Sequence, residues 1–169
     1  MHEYWDLYDT NRMALGKTHL RGTPLMEGTY HIVVSIWTIN RNNKLLLTLR
    51  SPDKELLPNL WENTSGSVIS GETSLAAARR ELREETGIEV NESDIVCLGT
   101  TRKASSFVDV FLVHTEREED AILLQEGETI AYRWVTISDL EMLYEQNMLA
   151  FPVSFQFAKK LLTEQTQRT

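Results

Sequence analysis

The segment GETSLAAARRELREETGIEV, Gly71 to Val90, leaves the chain little choice but a short amphipathic helix. At about 100° per residue, Leu75, Ala78 and Leu82 fall on one apolar stripe, which must face a core. The helical pattern begins after Glu72, and Gly87 supplies a C′ residue that stops it. The same winding puts Glu81, Glu84 and Glu85 on a neighbouring face, at i+3 and i+4 spacing. Like charges so placed cost about 0.2–0.5 kcal/mol per pair on an exposed helix. Near the C-terminal end the helix dipole disfavours them further. Two readings compete. In one, Arg79, Arg80 and Arg83 neutralise a solvated face. In the other, a divalent cation with hard oxygen ligands relieves the repulsion and brings phosphate oxygens with it.

Around this helix the pattern is that of strands. HIVVSIWTI, from His31, is rich in β-branched residues and reads as a buried strand. NRNN is turn chemistry, and KLLLTLR returns as the partner strand. SPDKELLPNLWENTSG, with Pro52 and Pro58, reads as loop. DIVCLGT, SFVDVFLVHT and TIAYRWVT are further strands. SDLEMLYEQ reads as a helix capped by Ser138, and PVSFQFAKKLLTEQ as a closing helix with Pro152 in its first turn. Strands and helices mix without regular βαβ alternation. That predicts an α/β fold with a mixed sheet flanked by helices, not a doubly wound parallel one.

A chain of 169 residues is expected to form one ordinary domain, here residues 31–169. Residues 1–30 are polar but carry Trp5, Leu7, Tyr8, Met13 and Leu20. They read as a hairpin-like extension packed on that domain.

A net charge of -8 argues against a binder of nucleic-acid polymers, which needs a basic face. It does not oppose a small phosphorylated substrate held at one local site. The single cysteine, Cys97, cannot close an internal disulfide and is expected to be a buried thiol. MHEYWDLYDT is too polar for a signal peptide, and no apolar run approaches the ~20 residues of a membrane span. A cytoplasmic protein without membrane contact is the expectation. Among the tryptophans, Trp37 reads as core rather than a base platform. No histidine has ligand spacing, and none is assigned a catalytic role.

The spacing from Gly66 to Ile88 narrows the choice. GSVISGETSLAAARRELREETGI places Gly66, Glu72, Arg80, Glu81, Leu82, Glu84, Glu85, Gly87 and Ile88 so as to match G-x5-E-x7-R-E-U-x-E-E-x-G-U, with U aliphatic. This resembles the Nudix box at every specified position. The resemblance implies an α/β/α sandwich with a loop–helix–loop catalytic motif. It also implies hydrolysis of a diphosphate joined to another moiety, by metal-assisted attack of water on phosphorus. By the same resemblance Glu84 and Glu85 would be the main ligands of Mg²⁺, or Mn²⁺. Glu81 would be the general base or a further ligand. Arg80 would orient a glutamate. Gly66 and the Ser65 carbonyl would complete the loop side of the site. Glu72 would brace the motif, and Gly87 would end it. A later loop offers Glu126 and Glu128, of which Glu128 is the candidate at the reacting centre. Arg50 and Lys54 are candidates for phosphate contact.

The likeness extends toward the N-terminus. WDLYDTNRMALGKTHLRG, YHIVVSIWTINRNNKLLLTLRS and PNLWENTSGSV resemble the isopentenyl-diphosphate isomerase branch of the same superfamily. The isomerases use a cysteine after the W-x-N element, and WENTSGSVISGE has none. A hydrolase sharing the isomerases' N-terminal elaboration is therefore the expectation. A non-catalytic nucleotide-binding regulator stays as an alternative; such proteins usually have eroded boxes, and the intact glutamates here argue for catalysis. The residues do not name the substrate. A homodimer through the N-terminal segment or the apolar closing helix is compatible with them.

Overall fold

A computed structural model describes residues 3–117, 121–151, 155, 159 and 160. Among the described residues, nine strands and two complete α-helices follow in order. They are β1 (Tyr4–Tyr8), β2 (Ala14–Leu20), β3 (His31–Asn40), β4 (Leu45–Arg50), β5 (Trp61–Glu62), β6 (Thr64–Ser67), α1 (Ser74–Thr86), β7 (Ile95–Arg102), β8 (Ser106–Thr115), β9 (Thr129–Val135) and α2 (Ile137–Glu145). A single 3₁₀ turn, Glu92–Asp94, precedes β7. The closing helix expected from Pro152 onward falls almost wholly outside the described residues.

β3 is the axis of the sheet. It pairs in parallel with β8 along its whole length, His31 opposite Ser106 and Asn40 opposite Thr115. Its other edge is shared. The C-terminal end turns into β4, with Ile39 opposite Leu45. The N-terminal half takes β6, antiparallel, with Val34 opposite Gly66 and Ser35 opposite Ser65. β9 lies along β4, and β7 closes the far edge beyond β8. The sheet is mixed, as the irregular order of elements predicts.

Alternation along β3 divides the core in two. Ile32, Val34 and Ile36 meet Ala77, Ala78 and Leu82 of α1. Trp37 and Ile39 meet Val110 and Leu112 of β8 and Leu140 and Leu143 of α2. Helices thus cover both faces of the sheet, the α/β/α arrangement expected. Burying a leucine such as Leu82 or Leu140 contributes about 2 kcal/mol.

α1 begins where the Thr73 hydroxyl accepts from the Ala76 N–H at 3.1 Å. It ends at Gly87, with φ of 68°, whose N–H reaches the Arg83 carbonyl. Such a left-handed C′ position suits glycine because it has no Cβ.

Two expectations are corrected. α2 is capped by Thr136, not Ser138. The Thr136 hydroxyl accepts from the Asp139 N–H, and the Asp139 carboxylate accepts from the Thr136 N–H, a reciprocal pair that Ser138 could not form. The segment read as loop contains β5 and β6. β6, Thr-Ser-Gly-Ser, has weak strand propensity, and the free edge of β3 recruits it.

The N-terminal strands form an antiparallel hairpin, Tyr4 opposite Leu20. It is fastened at three places. Tyr8 and Tyr30 exchange backbone hydrogen bonds. Asp6 accepts from the Ser70 hydroxyl and the Gly71 N–H just before α1. Arg12 binds Asp109 of β8 through both terminal nitrogens, at 2.6 and 2.5 Å. Asp109 also accepts from Ser74 and Thr100. Burial alone would raise this carboxyl, but the hydrogen bonds from Arg12, Ser74 and Thr100 outweigh it and hold it below its ordinary value. The folded value lies below the unfolded one, so this stabilisation is complete above about pH 4 and is lost as pH falls through the folded value. Arg12→Ala leaves a buried carboxylate short of its bidentate partner. It is expected to lower stability by roughly 2–4 kcal/mol at pH 7, read by urea unfolding. A loss under 0.5 kcal/mol would sink the latch.

Candidate active site

A cavity of about 810 Å³ opens where α1, β6 and the loop after β4 meet the hairpin. Its floor is the sheet, and its walls carry most of the candidate residues. Gly66, Ser65, Arg80, Glu81, Glu84, Glu85, Lys54, Arg50 and Glu128 all line it. Glu72 and Gly87 do not. They hold the motif from outside.

Arg80 organises the acidic face. Its Nε and one Nη donate to Glu72 at 3.0 and 2.9 Å. The other Nη donates to Glu81 at 2.7 Å and to Glu84 at 3.2 Å. The Ser67 carbonyl takes a further bond at 3.1 Å. One planar fork thus joins the loop before α1, the β6 backbone and two of the three glutamates. Glu72 also accepts from the Ile69 N–H, which ties it to the loop before α1.

Glu81 packs directly against Gly66. A Cβ on residue 66 would lie 2.0 Å from its carboxyl carbon. Glycine is required here for close approach, not for its dihedral freedom. Gly66→Ala is expected to cost little stability, because the Glu81 side chain can swing aside. It is expected to lower the hydrolytic rate by about 10²-fold, the scale of an ångström-sized misplacement. A rate within threefold of the wild type, measured on folded variant, would show that the position of Glu81 does not matter.

Glu85 differs from its neighbours. It is only 9% exposed, whereas the other two meet the cavity more openly. Its Oε2 is buried and has no hydrogen-bond partner among the described residues. Burial, then the charges of Glu62 and Glu81, push its carboxyl well above the usual carboxylate range; Lys54 and a backbone hydrogen bond from Ser65 pull the other way. Burial likewise raises Glu81 against the pull of Arg80. An orphaned carboxylate oxygen beside two more acidic groups fits a hard cation, which would satisfy the oxygen and cancel the repulsion. Among the described residues, no three such groups yet converge on one point as a finished cage.

One candidate is placed differently from expectation. Arg50 was expected to meet phosphate, but it is nearly buried and engaged at every nitrogen. It forks onto both oxygens of Glu62 at 2.9 Å and donates to the carbonyls of Leu56 and Leu57. Leu57 holds a left-handed φ of 52°, rare outside glycine. Arg50 therefore pins the loop that carries Lys54. Glu128, the candidate at the reacting centre, lines the cavity, where it is 41% exposed and ion-paired to Lys54.

Cys97, expected to be buried, is exposed on β7, because β7 is the sheet's outer strand. It is not among the residues lining the cavity.

Sequence reasoning missed several cavity residues. Glu62 is buried, and desolvation raises its carboxyl despite Arg50. Its place as the middle residue of the W-x-N element, Trp61-Glu62-Asn63, was the only signal. Trp5 and His31 stack at 3.9 Å between ring centroids. Burial holds the His31 imidazole near pKa 4, neutral at pH 7. Lys103 stands at the turn from β7 to β8, and nothing in its local sequence marked it.

A family model described as NUDIX domain matches residues 29–156. A curated Nudix hydrolase of Listeria monocytogenes is 37% identical over 142 residues, covering 83% of this chain and 84% of that protein. The isopentenyl-diphosphate Delta-isomerase of Salmonella typhi is 29% identical over 143 residues, covering 81% of this chain and 74% of that one. Among solved structures, DR0079 of Deinococcus radiodurans superposes with a TM-score of 0.77 at 23% identity, over 93% of this chain and 98% of that one.

Proposed function

Since this chain belongs to the Nudix hydrolase family, as a pyrophosphohydrolase, we propose that it cleaves a diphosphate linkage in a nucleoside-diphosphate-linked or related small molecule by divalent-cation-dependent attack of water on phosphorus. The observation that carries this reading is the orphaned Oε2 of Glu85, buried in the wall of the cavity that Glu81 and Glu84 also line. Glu84, Glu85 and the Ser65 carbonyl are the residues that would hold Mg²⁺ or Mn²⁺, with Glu81 kept for the attacking water. When bound, the cation neutralises the diphosphate and polarises the attacked phosphoryl group.

The chain's own residues do the rest. Glu81 has Oε1 occupied by Arg80, which leaves Oε2 to take the proton of the attacking water. Its raised affinity for a proton suits that role. An ammonium has three donors. Lys54 gives one to Glu128 and has two left for phosphate oxygens. Arg50 keeps the Lys54 loop in place, and Arg80 keeps Glu81 and Glu84 aimed.

The test is phosphate release from a broad diphosphate panel with Mg²⁺, coupled to a phosphatase. Release that requires the metal and disappears in Glu85→Gln supports the reading. Silence across the panel from folded protein would overturn it.

The kinship to the isomerase favours a second reading, the shift of a double bond in isopentenyl diphosphate. That reaction needs an acid opposite the carboxylates. The chain's one cysteine is exposed on β7 and does not line the cavity. No deuterium should enter isopentenyl diphosphate from heavy water.

A further inference from the structure

Among the described residues, five basic side chains of arginine and lysine line the cavity, and four of them are matched by carboxylates. Arg21 pairs with Glu3, Arg50 with Glu62, and Lys54 with Glu128. Arg80 pairs with Glu72, Glu81 and Glu84. Lys103 has no acidic partner among the described residues. Its ammonium lies 5.3 Å from the centre of the Phe151 ring, and its backbone N–H is bonded to the Ser106 carbonyl.

The Lys103 backbone also stands at the end of the cavity away from the α1 glutamates, and its ammonium reaches over the Phe151 ring that the Arg50 guanidinium contacts from 5.5 Å. β3 contributes Ser35, Val33 and His31 to the floor, and β8 contributes Val110, Val108 and Ser106. Ser35 is opposite Ser65, at the α1 end. His31 is opposite Ser106, and its N–H reaches the Ser105 carbonyl in the turn that follows Lys103. Four residues of strand separate the two ends, about 13 Å at ~3.3 Å per residue. Between them the floor is valine. The cavity therefore has an acidic end, an apolar middle and, among the described residues, one uncompensated cation rooted at the far end.

We propose that Lys103 selects the substrate: the moiety joined to the diphosphate carries a second anionic group, a phosphate or a carboxylate, that binds the Lys103 ammonium. This rests on the hydrolase reading of the same cavity. In a chain of net charge -8, this half-buried ammonium lacks, among the described residues, the counter-charge that the other four cations of the cavity have. Desolvation lowers its affinity for a proton, and an anion would reverse that. The valine floor accommodates the uncharged body of the moiety without competing for either end.

Two matched ligand pairs test the idea, each differing by one anionic group. UDP-glucuronate against UDP-glucose probes a carboxylate. Coenzyme A against its form lacking the 3′-phosphate probes a phosphate. Dissociation constants are measured by calorimetry on wild type, Lys103→Met and Lys103→Arg, and kcat/KM is measured alongside. The wild type is expected to prefer the anionic member of at least one pair by about ten- to a hundredfold, the scale of a charge-assisted hydrogen bond. Lys103→Met is expected to abolish that preference, and Lys103→Arg to restore much of it. The pair that shows the effect tells phosphate from carboxylate. Equal preference in wild type and Lys103→Met, or no binding of either anionic ligand, would overturn the proposal. Turnover without anion preference would remove the role of Lys103 and leave the hydrolase standing. Binding with preference but without turnover would keep the role of Lys103 and count against hydrolysis.

Discussion

Glu85→Gln is expected to lower kcat by about 10²–10⁴-fold, the range for loss of a charged group acting at the reacting centre. The metal-free fold should survive, and should be at least as stable as the wild type at neutral pH. The folded protein holds the Glu85 proton to higher pH than the unfolded chain does, whose value is near 4.5. Folding therefore gains from this group below 4.5, and the gain is lost as pH rises through the folded value. Glutamine, uncharged and of the same size, does not suffer that loss. The difference in melting temperature between variant and wild type should widen above pH 4.5 in chelator. Adding Mg²⁺ at pH 8 should raise the wild-type melting temperature more than that of the variant. A variant with full turnover, or one stabilised by Mg²⁺ as strongly as the wild type, would remove Glu85 from the site.

Arg80→Ala is expected to damage both stability and rate. The guanidinium serves Glu72, Glu81, Glu84 and the Ser67 carbonyl together. Removing it leaves partly buried carboxylates without a counter-charge, at a cost of roughly 3 kcal/mol. For a domain of this size that lowers the melting temperature by roughly 6–12 °C. Turnover, measured well below the melting point, should fall by about 10²-fold because Glu81 and Glu84 lose their common support. Arg80→Lys should recover little of either. One ammonium cannot span the loop, β6 and α1 as a planar fork does. A variant melting within 2 °C of the wild type would contradict the bracing role, and a wild-type rate would contradict the aiming role.

Much of this site was legible before any coordinates. The 3.6-residue period placed Glu81 and Glu85 on α1, and the box spacing tied Gly66 to the same motif. Glycine at 87 announced the helix end, and β-branched runs announced β3 and β8. Other features were not legible. β6 has a poor strand composition, and only the unpaired half of β3 makes it a strand. Arg50 looks in sequence like any cation at a strand end. Its fate depends on Glu62, twelve residues away, and on the carbonyls of a strained loop. Cys97 sits in an apolar run that reads as buried, but an outer strand turns part of such a run to solvent. Lys103 has no local mark at all, and its meaning comes from the pairing of the other four cations described in the cavity.

The sequence by itself determined the helix, its ends, the order of carboxylates along it and the family to which that order belongs. Helical periodicity, capping and motif spacing act over a few residues, so the local string contains them. The tertiary structure alone decided which glutamate is desolvated, which cation is neutralised and which is left over. Desolvation and ion pairing depend on what residues distant in the chain bring alongside. Glu85 is buried among Glu62, Glu81 and Ser65, and Lys103 meets no carboxylate among the described residues because of where the β7–β8 turn lies. No local pattern encodes either environment.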